Sequence, residues 1–150
     1  MRSLVGAVRK AKRVYLCGNG GSAANAIHIA NDLVNAGVRA HALTADVATL
    51  TAIANDYGYE HVFSRQLKVY GEPGDLLVCL SGSGNSPNVL EALRVAKEIG
   101  MATAAIVGGY NDSKAALLAE IPVLGGGDMQ AAEDFQTMIG HEVMKCLKSQ

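Results

Sequence analysis

A chain of 150 residues can bury one sizeable core but not a second of ordinary size, so a single domain spanning residues 1–150 is expected. Its net charge of −1, from 13 basic and 14 acidic side chains without a basic stripe, offers nothing to neutralise a run of phosphates and argues against nucleic-acid binding. Hydrophobic residues make up 49% but aromatics only 5%, with no Trp, so the core must be Ala, Val, Leu and Ile packed closely, as in helices laid on a parallel sheet.

No run of eighteen apolar residues occurs, and the basic stretch Met1 to Arg13 has no apolar segment behind it, so neither a membrane span nor an export leader is read. Cys17, Cys79 and Cys146 are odd in number and form no CxxC pair, which suits a reduced chain in the cytoplasm.

In chain order, the short apolar runs at Arg13–Cys17, Arg39–Leu43, Asp75–Leu80, Ala102–Val107 and Glu120–Leu124 predict buried parallel strands. Helices are predicted near Ser22–Asn35, Val47–Ala54, Val62–Tyr70, Ser86–Ile99 and Ser113–Ala119, and a last one near Met129–Leu147. Alternation of this kind builds an α/β, doubly wound, five-stranded parallel sheet between two helical layers. Ligands of such sheets bind beyond the carboxyl ends of the strands, which directs attention to the loops that follow them.

The first of these loops is Gly18-Asn19-Gly20-Gly21-Ser22, opening into a helix. Glycines let the backbone approach an anion, Ser22 can cap, and a helix N-terminus offers unpaired N–H groups; equally, such a loop can be no more than a tight turn. It lacks the Lys of a Walker loop and the third glycine of a dinucleotide fingerprint. After the third strand comes Ser81-Gly82-Ser83-Gly84-Asn85-Ser86-Pro87, again opening a helix, with Pro at its first turn. Two such loops at equivalent strand ends, with hydroxyls and no Lys or Arg, predict a phosphate monoester held by backbone N–H groups, hydroxyls and helix dipoles.

His28 and Asp32 are four residues apart on one helix face and can serve as a metal or acid/base pair, although that spacing is common. The last helix carries Glu133, Asp134 and His141, whose carboxylates also suit a helix N-terminal turn.

GNGGS after the first strand and SGSGNS after the third resemble the sugar isomerase (SIS) domain in its phosphoheptose isomerase branch. The likeness extends to Ala54-Asn55-Asp56-Tyr57-Gly58, Phe63-Ser64-Arg65 and the final helix, in the family's order. It implies a flavodoxin-like sheet and an N-terminal helix shorter than is usual in relatives. It also implies a substrate site of Asn19, Gly20, Gly21, Ser22, Asn55, Asp56, Ser81, Gly82, Ser83 and Ser86, with Glu133.

By the same resemblance His28, Asp32, Glu133 and His141 stand where the family places His, Glu, Gln and His around zinc. Asp32 takes the role of base and His141 that of acid in an aldose-ketose isomerisation through an enediol. Two of the four differ: Asp32 is one methylene short of Glu, and Glu133 adds a negative charge where Gln is neutral. Ala36 stands where the family more often has Arg.

Glu133 and His141 are eight residues apart, about 12 Å along a straight helix. To share an ion, the helix must start after Glu133 or two subunits must contribute. The resemblance implies a homo-oligomer, a tetramer with interfacial sites. The expected substrate is sedoheptulose 7-phosphate, the alternatives being another sugar phosphate or a non-catalytic sensor or adaptor. Asp32 and His141, groups that non-catalytic relatives lose, favour the enzyme.

Overall fold

The computed structural model describes residues 1–110 and 112–149. Arg2–Lys10 forms α1, and Val14–Cys17 forms β1. Gly21–Asn35 is α2, Ala40–Ala42 is β2 and Val47–Tyr57 is α3. A 3₁₀ turn at Tyr59–His61 leads to α4, Ser64–Tyr70. Leu76–Ser81 is β3, Pro87–Ile99 α5, Ala102–Val107 β4, Lys114–Leu118 α6, Ile121–Leu124 β5 and Met129–Lys148 α7.

All the pairings are parallel and the strand order is β2-β1-β3-β4-β5. The order reverses between β1 and β3, whose chains leave in opposite directions, so the crevice expected of such sheets opens above their carboxyl ends.

The strand period of two sorts the apolar residues into two layers. Val14 and Leu16 of β1 and Leu76, Val78 and Leu80 of β3 meet Leu4, Val8, Ile29, Leu33, Ile139 and Val143 from α1, α2 and α7. Tyr15, Cys17, Leu77 and Cys79 point the other way, onto Phe63, Leu67, Val89 and Leu93 beside α4 and α5. Cys17 and Cys79 are opposed in register with their sulfurs 3.4 Å apart. Burial, then the neighbouring Cys17, pushes the Cys79 thiol well above its ordinary value, so it stays protonated. Among the described residues no disulfide links them; both are free.

Boundaries move where turn chemistry outweighs periodicity. Asp46 caps α3 by accepting from Thr49 N, and the helix continues past Ala54 to Tyr57, ending at Gly58 with φ +97°. Asn55 and Asp56 therefore lie in a helix. The helix expected over Val62–Tyr70 forms as α4 but starts two residues later, at Ser64, after the 3₁₀ turn at Tyr59–His61. Edge strand β5 is only half-buried and tolerates Pro122, which has no N–H to donate.

Candidate active site

Two helices begin at the crevice without a side-chain cap. Gly20 precedes α2 with φ +56°, a conformation favouring glycine, and Ser86 precedes Pro87 of α5. By contrast, Asp46, Ser113 and Asp128 cap α3, α6 and α7 with their own oxygens. The first N–H groups of α2 and α5 thus remain available to an anion, reinforced by two helix dipoles.

Ser22 was expected to cap α2, and the structure corrects this. It lies inside the helix, buried, and its hydroxyl accepts from Gln136 Nε2 at 3.0 Å. In the second loop Ser81 Oγ accepts from Gly84 N at 3.0 Å and Ser83 Oγ from Asn85 N at 3.2 Å. Both hydroxyls are held as acceptors, which leaves each O–H free to donate to a ligand. Gly84, at φ +69°, has no room for a Cβ, which would stand 1.9 Å from Ser113 Oγ.

A cavity of about 260 Å³ joins these groups: Asn19, Gly20, Gly21 and Ser22 from the first loop, Ser81, Gly82, Ser83 and Ser86 from the second, and Met129 and Glu133 from α7. Met129 was not foreseen; it is an apolar residue at a helix start, and only packing reveals that it covers Gly82, where an added Cβ would meet its sulfur. Among the described residues no Lys or Arg lines the cavity. A larger one, about 880 Å³, opens at the opposite ends of β3 and β4, but its Lys10, Lys97, Asp75 and Glu120 present mixed charges.

Helices α2 and α7 run side by side in the same direction. Asn25 Nδ2 donates to Glu133 O and to Gln136 Oε1, and Gly140 packs against Ile29 so closely that a Cβ would lie 2.5 Å from Ile29 Cγ1. This register brings His141 to His28, with their Nε2 atoms 2.9 Å apart. Asp32 Oδ2 lies 3.5 Å from His28 Nε2 and 3.6 Å from His141 Nε2, is buried, and has no hydrogen-bond partner among the described residues. A buried carboxylate oxygen without a partner is costly, and two imidazole nitrogens beside it complete a set suited to a divalent cation. These three residues fit a metal ion.

Glu133 does not join them within one chain. Its carboxylate lies over Gly21, where a Cβ would meet Oε1 at 2.3 Å, and α7 is continuous from Met129 to Lys148. The option of a helix beginning after Glu133 is thereby excluded. Asn55 and Asp56 also lie outside the cavity lining, exposed on the last turn of α3, where Asn55 Nδ2 donates to Asp56 Oδ1 at 2.8 Å.

Residues 1–108 match the SIS domain family. The phosphoheptose isomerase of Chlorobaculum parvum is 42% identical over 152 residues, covering 94% of this chain and 72% of its own length. That of Nitratidesulfovibrio vulgaris is 41% identical over 138 residues, covering 88% of this chain and 66% of its own. The structure of phosphoheptose isomerase GmhA from Neisseria gonorrhoeae superposes with a TM-score of 0.90 at 36% identity, over 99% of this chain and 83% of that one. The chain spans between 57% and 77% of the length of such relatives. An anion cradle at the switch point of a 2-1-3-4-5 sheet, with a His/Asp/His cluster two helical turns along α2, agrees with that likeness: the chain belongs to the SIS domain family, in its phosphoheptose isomerase branch.

Proposed function

We propose that this protein interconverts a ketose phosphate and its aldose, with sedoheptulose 7-phosphate as the substrate and D-glycero-D-manno-heptose 7-phosphate as the product. One observation carries the reading: the α2–α7 pair holds an anion cradle at its N-terminal end and the Asp32/His141 pair farther along. From Gly21 to His28 is seven residues, about 10 Å of helix, a span that an extended seven-carbon chain bridges better than a triose does.

With the phosphate in the cradle, the N–H groups of α2 and α5 and the hydroxyls of Ser81 and Ser83 take up its charge. The other end of the sugar then faces Asp32, His28 and His141. Asp32 removes the carbon-bound proton through the carboxylate oxygen not given to an ion; His141 supplies a proton to the carbonyl oxygen from the ring nitrogen not given to an ion, and the reverse transfers complete the exchange between C1 and C2. His28, Asp32 and His141 would hold a divalent ion, zinc in our reading, and such an ion would supply Lewis-acid polarisation of a carbonyl.

Glu133, separated from this cluster in one chain, would reach an ion only from a second subunit, and Asn55 and Asp56 would likewise serve a neighbouring site. A homotetramer with interfacial sites accommodates all three. The free thiols fit a reducing compartment, the cytoplasm.

The test is to supply sedoheptulose 7-phosphate to the purified protein and follow the aldose by NMR, before and after chelation and with zinc restored. Turnover that falls at least tenfold on chelation and returns with zinc is expected. Saturable binding without turnover in every condition would replace the enzyme by a sugar-phosphate sensor.

A further inference from the structure

Among the described residues, Asn19 is the one cavity residue whose polar side chain is tied at both ends. Its Oδ1 accepts from Asn88 Nδ2 at 2.8 Å and from the Tyr59 hydroxyl at 2.9 Å, so both lone pairs of the carbonyl are occupied. Its Nδ2 donates one hydrogen to Asn88 Oδ1 at 2.9 Å. A primary amide has one group left after these three bonds, the second N–H, and Asn19 lines the cavity.

The partners come from elements that the loop sequence itself does not reveal. Asn88 is 2% exposed in the first turn of α5, so its paired bonds with Asn19 clamp the β1–α2 loop to the helix opened by the β3–α5 loop. Tyr59, largely exposed, sits on the 3₁₀ turn that follows the positive-φ Gly58. Three segments widely separated in sequence thus meet on one amide.

We propose that Asn88 and Tyr59 are positioning residues that hold Asn19 as a single hydrogen-bond donor toward the cavity, and that this donor selects an acceptor oxygen on the ligand. A phosphate oxygen meets it directly. A sugar hydroxyl meets it only through a lone pair and finds no acceptor there for its own proton. The inference deepens the isomerase reading and rests on it for its kinetic test.

A contact made equally in the ground and transition states appears in KM rather than kcat. Tyr59→Phe removes one hydroxyl from an exposed ring; it should raise KM for sedoheptulose 7-phosphate about fivefold and leave kcat within about twofold. Asn88→Asp keeps the size but places a second acceptor against Asn19 Oδ1, and should raise KM by about thirtyfold. In an Asn19→Ala background Tyr59→Phe should have no further effect, since the double-mutant cycle isolates the coupling.

The same change should shift the Asn19 side-chain amide resonance in ¹⁵N–¹H NMR of the 150-residue chain. An unchanged KM in Tyr59→Phe, or the same rise with Asn19 absent, overturns the proposal. Should the parent chain turn over no sedoheptulose 7-phosphate, the isomerase reading fails alone; the amide shift and the calorimetric Kd for that sugar phosphate in Tyr59→Phe then decide the positioning role, with no change in either overturning it.

Discussion

The anion cradle and the His28–Asp32–His141 cluster share α2 and α7 but are built on opposite principles. In the cradle, hydroxyls and backbone amides are fixed within the loops by Ser81, Ser83, Asn19 and Asn88, so binding needs little reorganisation. In the cluster, two partly exposed imidazoles flank a carboxylate oxygen that is buried and, among the described residues, without a hydrogen bond. The first region is close to complete in one chain, whereas the second has polar capacity left over for an ion, a substrate or a neighbouring subunit. Binding and chemistry should therefore separate on mutation.

The largest separation is expected at the cluster. Asp32→Asn or His141→Ala should lower kcat by about a thousandfold, the scale of a lost general acid or base, while Kd for the sugar phosphate moves less than about threefold. Kinetics with calorimetry on the same preparations check both numbers. Equal losses in kcat and affinity would merge the two regions into one.

Gly140→Ala tests the register between them. The new methyl pushes against Ile29 and moves His141 from His28, so kcat should fall by about tenfold or more from misplacement alone. Stability should fall by about 1–2 kcal/mol in urea denaturation, overpacking outweighing the gain in helix propensity.

Glu133→Gln addresses the cradle, where a carboxylate stands beside the anion position. Removing that charge should lower KM for a dianionic sugar phosphate about fivefold, an effect that shrinks with added salt.

The smallest effect concerns α3, outside both regions. The bonds that Asp46 accepts from the hydroxyl and N–H of Thr49 hold its carboxyl below the ordinary carboxylate value. A depressed carboxyl stabilises above its unfolded value and loses that contribution as pH falls through the folded one. The first turn of α3 should fray as acidification protonates Asp46, a change seen in its amide exchange and already present in Asp46→Ala at neutral pH.

Much of this was legible in the sequence because it depends on short-range rules. Apolar runs alternating with helical periods specify a parallel α/β sheet, and glycine-serine loops after the first and third strands mark an anion site wherever such a sheet is doubly wound. The family resemblance named Asn19, Gly20, Gly21, Ser22, Ser81, Gly82, Ser83 and Ser86 within those loops, and the cavity gathers these eight but not Asn55 and Asp56. His28 and Asp32 were readable as a pair because four residues make one helical turn.

The tertiary structure alone decided what depends on distant segments. Ser22 could have capped α2 by local chemistry, but the approach of Gln136 took its hydroxyl. Whether His141 reaches His28 depends on the parallel register of α2 and α7, set by Gly140 against Ile29, and no spacing within either helix encodes it. That same continuous helix carries Glu133 about 12 Å from His141 and gives the two residues different neighbours. Asn88 and Tyr59 carry no local signal at all: an Asn in a first turn and a Tyr after a Gly acquire meaning only when packing aims both at the amide of Asn19.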